Sequence, residues 1–262
     1  MRVLVTTTHG AGEDAAAAGR ALAARMGVPF VPRGGYGLAA LLSREGAEAA
    51  LVFGPQRLSL VFYRDGCREE FFFHPGTALL RIKNILAGKP DQMIRAMALC
   101  PGDTVLDCTL GLGADALVAS FVAGPQGRVV GVEKVAPLAA VVEYGLRHYA
   151  AEPLLTAAMR RIEVVVADHY DYLLQLPAAS FDVVYFDPFF RVPVKGAAQV
   201  APLRAVGERA PLKEETVRAA LRVARRRVVL KERRGSAEFA RLGFREIYGR
   251  RHAHVAYGVR EK

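Results

Sequence analysis

The sequence lacks several features that mark common classes of protein. Its 262 residues contain only three cysteines, Cys67, Cys100 and Cys108, without a close pair or a nearby histidine cluster. That pattern argues against a disulfide framework and a structural zinc site, and it favours a reducing, cytoplasmic location. No apolar run approaches the roughly 20 residues of a membrane span. We therefore expect neither a bound metal nor a membrane partner.

The sequence also lacks the two complete glycine motifs that bind nucleotide phosphates. No G-x-x-x-x-G-K-[ST] occurs, and the glycine turn at 108–113 is not a full G-x-G-x-x-G, because Asp115 and Ala116 stand where its last small residue would fall. The turn nevertheless follows a short apolar strand ending at Asp107 and precedes a helical pattern from Ala114. Strand, turn and helix start predict a nucleotide-sized cradle, with a plain tight connection as the alternative.

Four successive apolar strands end at or just before a carboxylate. The first ends at Asp107, and RVVGV, IEVVV and FDVVYF lead to Glu133, Asp168 and Asp187. In an open α/β sheet the carboxyl ends of parallel strands form the ligand-binding edge. Glu133 follows the glycines by roughly 20 residues, the position of a ribose-binding carboxylate. The pattern predicts a mostly parallel sheet with these four carboxylates along one edge.

These motifs resemble those of the class I S-adenosylmethionine-dependent methyltransferases. The resemblance implies a Rossmann-like α/β sheet, mostly parallel with the last strand antiparallel, and S-adenosyl-L-methionine as cofactor. In that family the glycine loop wraps the methionine part, the next acid holds the ribose, and the acid after the third strand faces the adenine. The cofactor-binding residues implied here are Asp107, Thr109, Gly111, Gly113, Ala114, Asp115, Glu133, Lys134, Asp168, His169 and Asp187.

The segment DPFF is similar to the [DN]-P-P-[YF] motif of enzymes that methylate an exocyclic amino group of a base. Such an amine is a poor nucleophile because its lone pair is delocalised into the ring, so the site must orient it. We expect Asp187 to accept one N–H and a carbonyl in the turn fixed by Pro188 to accept another. Phe189 or Phe190 then stacks on the base, worth on the order of 1–3 kcal/mol. The alternative is a plain strand end followed by core aromatics.

A narrower resemblance is to the bacterial small-subunit ribosomal RNA guanine-N2 methyltransferases. VLDCTLGLGADALVAS matches their first motif, with Thr109 where most methyltransferases have their first glycine. Glu133 followed by the basic Lys134, the YFDPFF segment and VVLKERR also fit, and the similarity runs over about residues 73–243. The resemblance implies methyl transfer to guanine N2 and ribosomal RNA, or a ribosomal subunit, as the partner.

The chain is predicted to form two domains. Residues 1–75 read as a small α/β domain and residues 76–262 as the methyltransferase domain. The predicted helices are 14–26, 34–45, 212–224 and 237–242, and the predicted outer strands are 3–6, 50–53, 58–63, 69–73, 227–231 and an antiparallel pair at 244–248 and 253–259. Residues 77–99 read as one helical stretch, and residues 191–210 as a loop over the site.

Positive charge favours a polyanionic partner. The formal net charge is +10, and the sequence pI is about 9.8. The charge is concentrated late, at Arg218, Arg222, Arg225, Arg226, Arg227, Lys231, Arg233, Arg234, Arg241, Arg245, Arg250 and Arg251. We expect RNA to bind this half, with an arginine-rich composition as the alternative. Arg81 and Lys83 are a second candidate contact to phosphate, with a solvated helix face as the alternative.

Two other functions remain open on these residues alone. A nicotinamide-dependent oxidoreductase would also use the partial glycine motif and Glu133, although it leaves DPFF unexplained. A non-catalytic RNA-binding protein would retain the fold and the charge without methyl transfer.

Overall fold

The computed structural model describes residues 1–188, 211–250 and 253–262. Its elements in chain order are β1 (Val3–Thr7), α1 (Glu13–Met26), α2 (Leu38–Glu45), β2 (Ala49–Phe53), β3 (Leu58–Arg64), β4 (Cys67–Phe72), α3 (Gly76–Leu86), α4 (Gln92–Met97), β5 (Thr104–Asp107), α5 (Ala114–Ala123), β6 (Arg128–Glu133), α6 (Ala136–His148), α7 (Pro153–Arg160), β7 (Ile162–Val166), α8 (His169–Gln175), β8 (Phe181–Phe186), α9 (Glu214–Val223), β9 (Ala224–Arg233), α10 (Glu238–Arg241), β10 (Glu246–Tyr248) and β11 (Val255–Glu261).

The chain divides into two compact units. The first comprises residues 1–74 and 136–149, and the second comprises residues 75–135 and 150–262. The first unit thus includes α6, which the sequence-based division at 75–76 placed in the second domain. That division into two functional domains stays a prediction.

The first unit contains a four-stranded sheet in the order β1-β2-β3-β4. β1 is parallel to β2, whereas β2, β3 and β4 pair in antiparallel fashion. α2 covers part of this sheet because Leu38, Leu41 and Leu42 lie on its buried face and pack with Leu4 and Val61. The alternation of buried and polar positions in α2 therefore follows the helical period.

The second unit contains a seven-stranded sheet in the order β10-β11-β9-β8-β5-β6-β7. The five strands from β9 to β7 are parallel, and β11 is antiparallel to both β9 and β10. This confirms the predicted Rossmann-like sheet with a late antiparallel strand. The strand order reverses between β5 and β8, and such a switch point is where open α/β sheets bind ligands.

The sheet of the second unit is held by an apolar core. Fully buried strand residues include Leu106, Val130, Val184 and Val228, which belong to one hydrophobic cluster. Parallel strands buried on both faces need such near-continuous apolar runs, as RVVGV and FDVVYF show. Because these strands are parallel, the polar residues that follow their apolar runs lie at the same edge of the sheet.

The predicted helical stretch 77–99 is interrupted. It forms α3 and α4, separated by residues 87–91. Gly88 has a left-handed φ of 74°, and the ring of Pro90 disfavours a helical residue before it. The Asp91 side chain then accepts hydrogen bonds from the backbone N–H groups of Met93 at 3.0 Å and Ile94 at 3.2 Å. This cap starts a new helix.

Gly127 lies between α5 and β6, where the backbone leaves no room for a side chain. A Cβ atom there would lie 2.8 Å from the carbonyl oxygens of both Ala123 and Asp103. We expect Gly127→Ala to lower the free energy of unfolding by roughly 1–3 kcal/mol, because the backbone must shift. Chemical denaturation measures this loss. Gly35→Ala is the control, since nothing lies within 4 Å of its added Cβ; equal losses would contradict the steric explanation.

Candidate active site

The glycine turn after β5 depends on backbone conformations that favour glycine. Gly111 has φ 48° and Gly113 has φ 74°, both in the left-handed region. Gly113 is also the N-cap of α5, so Ala114 is the first residue of that helix. The turn is fixed to the neighbouring strand because the Leu110 N–H donates to the Val132 carbonyl at 3.0 Å. The predicted strand, turn and helix start are therefore present.

Glu133 connects this turn to the end of β6. Its Oε2 accepts a hydrogen bond from the Gly111 N–H at 3.1 Å, and its Oε1 accepts one from the Val135 N–H at 2.9 Å. Burial raises the pKa of Glu133, whereas these N–H donors lower it. The carboxylate is fixed in orientation, and each oxygen retains a further lone pair for a hydroxyl group.

Lys134, Asp168 and His169 lie at the ends of β6 and β7. The Lys134 ammonium is 3.1 Å from Asp168 Oδ2. Asp168 Oδ1 caps α8 by accepting from the Tyr170 N–H at 2.9 Å. The His169 ring stands edge-on to Phe186, with 5.9 Å between ring centroids. The lysine and the cap lower the pKa of Asp168 against the opposing effect of burial.

Thr109 joins the glycine turn to the DPFF segment. Its hydroxyl oxygen accepts a hydrogen bond from the Asp187 N–H at 2.5 Å, and its own N–H donates to Asp107 Oδ1 at 3.0 Å. Burial is the largest influence on Asp107 and raises its pKa to about 8. The ends of β5 and β8 meet at the switch point of the sheet.

Lys231 lies between two carboxylates. Its ammonium is 2.7 Å from Asp187 Oδ2 and 2.9 Å from Asp115 Oδ2. Asp115 also accepts a hydrogen bond from the Tyr185 hydroxyl at 2.8 Å and is ion-paired to Arg81. Only 10% of the Asp115 side chain and 20% of the Lys231 side chain are exposed. Ion pairing is what makes this degree of charge burial tolerable.

Arg81 connects Asp115 to Asp91, the residue that caps the start of α4. Its Nε and Nη2 atoms donate to the two oxygens of Asp91 at 2.8 and 3.0 Å, while Nη1 contacts Asp115. The prediction that Arg81 contacts RNA phosphate or simply faces solvent is wrong, because its guanidinium is committed to two carboxylates. We call Asp115, Asp187, Lys231, Arg81 and Asp91 the ion cluster.

The ion cluster sets the charge of Asp187. Burial is the largest influence and raises the pKa of this carboxyl group, and the negative charge of Asp115 acts in the same direction. The Lys231 ammonium opposes both effects. The result is a pKa above that of an ordinary aspartate. Because 28% of the Asp187 side chain remains exposed, a ligand can reach it.

The predicted site residues include the acids and Lys134, whereas Lys231 and Arg81 were predicted only as contacts to RNA. Lys231 lies near the carboxyl end of β9, at the sheet edge where ligands bind, so its position in the sequence is the signal that could have placed it in the site. Tyr185 lies within the apolar run of β8, so from the sequence alone it looks like an ordinary core residue. Of the predicted catalytic residues, Asp187 and Pro188 are described, whereas Phe189, Phe190 and the predicted loop at 191–210 lie outside the described residues.

Several of the late basic residues serve the fold rather than a free surface. Their side chains donate to carboxylates or backbone carbonyls of the second unit. These anchored residues are Arg222, Arg225, Arg226, Arg227, Lys231, Arg234 and Arg241. Charge density along the sequence therefore overstates the positive surface that this half offers to a polyanion.

In residues 1–188, 211–250 and 253–262, no group of three or more His, Cys, Asp or Glu side chains is placed to hold a metal ion. None of the helices in those ranges has the length and apolar character needed to cross a membrane.

Cys108 is buried, and burial raises the pKa of its thiol.

Comparison with known proteins gives relatives across nearly the whole chain. The YpiP protein of Bacillus subtilis, which is uncharacterized, is 40% identical over 257 residues and 98% of each chain. Ribosomal RNA small subunit methyltransferase J of Nitrosococcus oceani is 31% identical over 225 residues, covering 83% of this chain and 84% of that protein. The protein of the same name from Laribacter hongkongensis is 37% identical over 119 residues, 45% of this chain and 41% of that protein.

The fold and a family model agree with these relatives. The SAM-dependent methyltransferase NGO1261 of Neisseria gonorrhoeae has a TM-score of 0.66 to this structure at 19% identity, covering 98% of this chain and 95% of that one. At this identity the likeness concerns the fold. The model of a family described as SAM-dependent methyltransferase matches residues 37–242. The chain therefore belongs to the S-adenosylmethionine-dependent methyltransferase family, and S-adenosylmethionine is its cofactor.

Proposed function

We propose that this protein methylates the exocyclic N2 amino group of a guanine in small-subunit ribosomal RNA. The observation that carries the proposal is the placement of Asp187, which stands at the switch point between the glycine turn and Lys231. The relative from Nitrosococcus oceani, named as a small-subunit ribosomal RNA methyltransferase, supports the class of substrate. Family membership also removes the support for a nicotinamide-dependent oxidoreductase.

The residues around the glycine turn fit the cofactor. Glu133 presents an oriented, half-buried carboxylate suited to the two ribose hydroxyls, and Gly111 with Gly113 form the turn for the methionine part. Asp168 and His169 are proposed for the adenine side, because they end the adjacent strand. When bound, S-adenosylmethionine supplies a methyl group activated on a positively charged sulfur.

Asp187 is the proposed contact to the guanine amine. Its ionised carboxylate accepts an N–H of the amino group and thereby orients the nitrogen for attack on the methyl carbon. Because the methyl group would come from the positively charged sulfur of the cofactor, the methylated nitrogen would have one proton to give up, and Asp187 is placed to accept it. Since its pKa is raised, Asp187 is a better acceptor for that proton than an ordinary aspartate.

The guanine base and the RNA chain are the other two groups that the protein must bind. Pro188 fixes the turn after β8, and we assign Phe189 or Phe190 to stacking on the guanine. The formal net charge of +10 favours association with RNA through phosphate contacts. A ribosomal substrate also places the activity in the cytoplasm.

Replacement of Asp187 separates catalysis from cofactor binding. We expect Asp187→Ala to abolish methyl transfer from labelled S-adenosylmethionine to small-subunit RNA while leaving cofactor affinity within about twofold, since Lys231 retains Asp115 as a partner. Glu214→Ala, which removes an exposed carboxylate, is the control. Turnover close to wild type in Asp187→Ala would overturn the assignment, and absence of transfer by the wild type would favour a non-catalytic RNA-binding protein.

Replacement of Glu133 tests the ribose assignment. We expect Glu133→Ala to weaken S-adenosylmethionine binding by roughly 1–3 kcal/mol, because hydrogen bonds to a charged group are lost. Isothermal titration calorimetry measures the change. Glu163→Ala removes an exposed acid from β7 and should leave the affinity unchanged. An unaltered affinity in Glu133→Ala would contradict the role.

The pH dependence of turnover tests the link between Lys231 and Asp187. Activity requires ionised Asp187, so the raised pKa places the acid limb of kcat/KM above the range of an ordinary aspartate. Lys231→Met removes the charge that favours ionisation, and we expect the limb to move to higher pH. Lys231→Arg keeps the charge and should keep the limb near its original position. An unchanged limb in Lys231→Met would show that Asp187 does not control it.

A further inference from the structure

A cavity of about 280 Å³ opens beside the ion cluster in the second unit. Its walls come from α3, the segment 87–91, the start of α4 and the hairpin formed by β10 and β11. Arg81 lines it, and the other residues used in the argument for a ligand are Asn84, Lys89, Gln92, Arg250 and Tyr257. This volume is near the lower end of ligand pockets, roughly 300–1,000 Å³, and suits one nucleotide rather than a longer segment.

The cavity is connected to Asp187 through the side chains of the ion cluster. Arg81 lines it and also contacts Asp115, which shares Lys231 with Asp187. Tyr257 lies opposite Lys231 in the register of β9 and β11, so the two side chains lie on the same face of the sheet. Three charged side chains, Arg81, Asp115 and Lys231, therefore link the cavity to Asp187.

Four polar side chains of the cavity, those of Asn84, Lys89, Gln92 and Arg250, are available for a ligand. Within the described part of the chain, no hydrogen bond or ion pair engages the side chains of Asn84, Lys89, Gln92 or Arg250. Lys89 and Arg250 are exposed cations, whereas Asn84 and Gln92 are partly buried amides. The cations match a phosphate group, and the amides can donate to and accept from the edge of a base.

The charge of the cavity selects against a cation. The lining carboxylate is Asp91, and the Arg81 guanidinium neutralises it through two hydrogen bonds. Lys89 and Arg250 then leave an excess of positive charge. Tyr257 adds an aromatic ring, beside the apolar Ile85 and Val255. A ring with nearby cations and amides is the combination that binds single nucleotides of RNA.

We propose that this cavity binds one nucleotide of the RNA substrate adjacent to the methylated guanine. Its phosphate contacts Lys89 and Arg250, its base packs on Tyr257, and Asn84 and Gln92 bind the base edge. The proposal rests on the proposed function for the identity of the substrate. It makes α3 and the β10–β11 hairpin a second contact to RNA, separate from DPFF.

Two double variants test the proposal on the full chain. Lys89→Ala/Arg250→Ala removes the phosphate contacts, and Asn84→Ala/Gln92→Ala removes the base contacts without a change in charge. Fluorescence anisotropy with labelled small-subunit ribosomal RNA gives Kd over a series of salt concentrations, and calorimetry gives the affinity for S-adenosylmethionine. Lys213→Ala/Arg147→Ala removes two exposed cations elsewhere and is the matched control.

We expect the Lys89/Arg250 variant to bind RNA roughly tenfold more weakly and to lose about one from the slope of log Kd against log salt. The Asn84/Gln92 variant should weaken binding with an unchanged slope, and both should bind S-adenosylmethionine as the wild type does. RNA binding equal to wild type in both variants, or an equal loss in the Lys213/Arg147 control, would overturn the proposal.

Methyl transfer by the same variants distinguishes this proposal from the proposed function. If the variants bind and methylate RNA like the wild type, the cavity proposal fails and the proposed function stands. If the wild type binds RNA through the cavity but transfers no methyl group, the proposed function fails alone. If the wild type does not bind RNA, both fail.

Discussion

The site depends on one ammonium group shared by the buried carboxylate of Asp115 and the half-buried carboxylate of Asp187. Lys231 contacts Asp187 at 2.7 Å and Asp115 at 2.9 Å, and Arg81 supplies the second positive charge to Asp115. Burying such charges is tolerable only when they are paired, and loss of one partner leaves an uncompensated charge. This pairing ties β9, α5 and α3 to the end of β8. It also keeps Asp187 ionisable although burial favours its neutral form.

The sheet makes this arrangement possible because its strand order reverses between β5 and β8. The chain leaves β5 through the glycine turn and leaves β8 through Asp187, so both segments start at the same point of the edge. Thr109 fixes their spacing by accepting the Asp187 N–H at 2.5 Å. Glu133 fixes the other side of the turn through the Gly111 N–H. The cofactor site and the proposed base contact are therefore built on one rigid turn.

Much of this could be predicted from the sequence because strand ends and glycines obey local rules. Glu133 and Asp187 follow apolar strands, and Gly111 occupies a backbone conformation that disfavours side chains. The cations could not be predicted in the same way, since the partner of an arginine depends on tertiary structure. Arg81 looked like a surface residue of one long helix, yet it pairs with Asp115, 34 residues away. Several of the late arginines likewise anchor backbone carbonyls or carboxylates, as Arg222 does for the Leu173 carbonyl.

The most direct test of the central claim is to identify the methylated nucleoside. Purified protein, isotopically labelled S-adenosylmethionine and small-subunit ribosomal RNA, free or within the subunit, are incubated, and the RNA is then digested to nucleosides for mass spectrometry. The account predicts that the label appears in N2-methylguanosine. Label in a nucleoside methylated on a ring nitrogen, on carbon or on the ribose would contradict the role given to Asp187, because that carboxylate is placed to hold an amine.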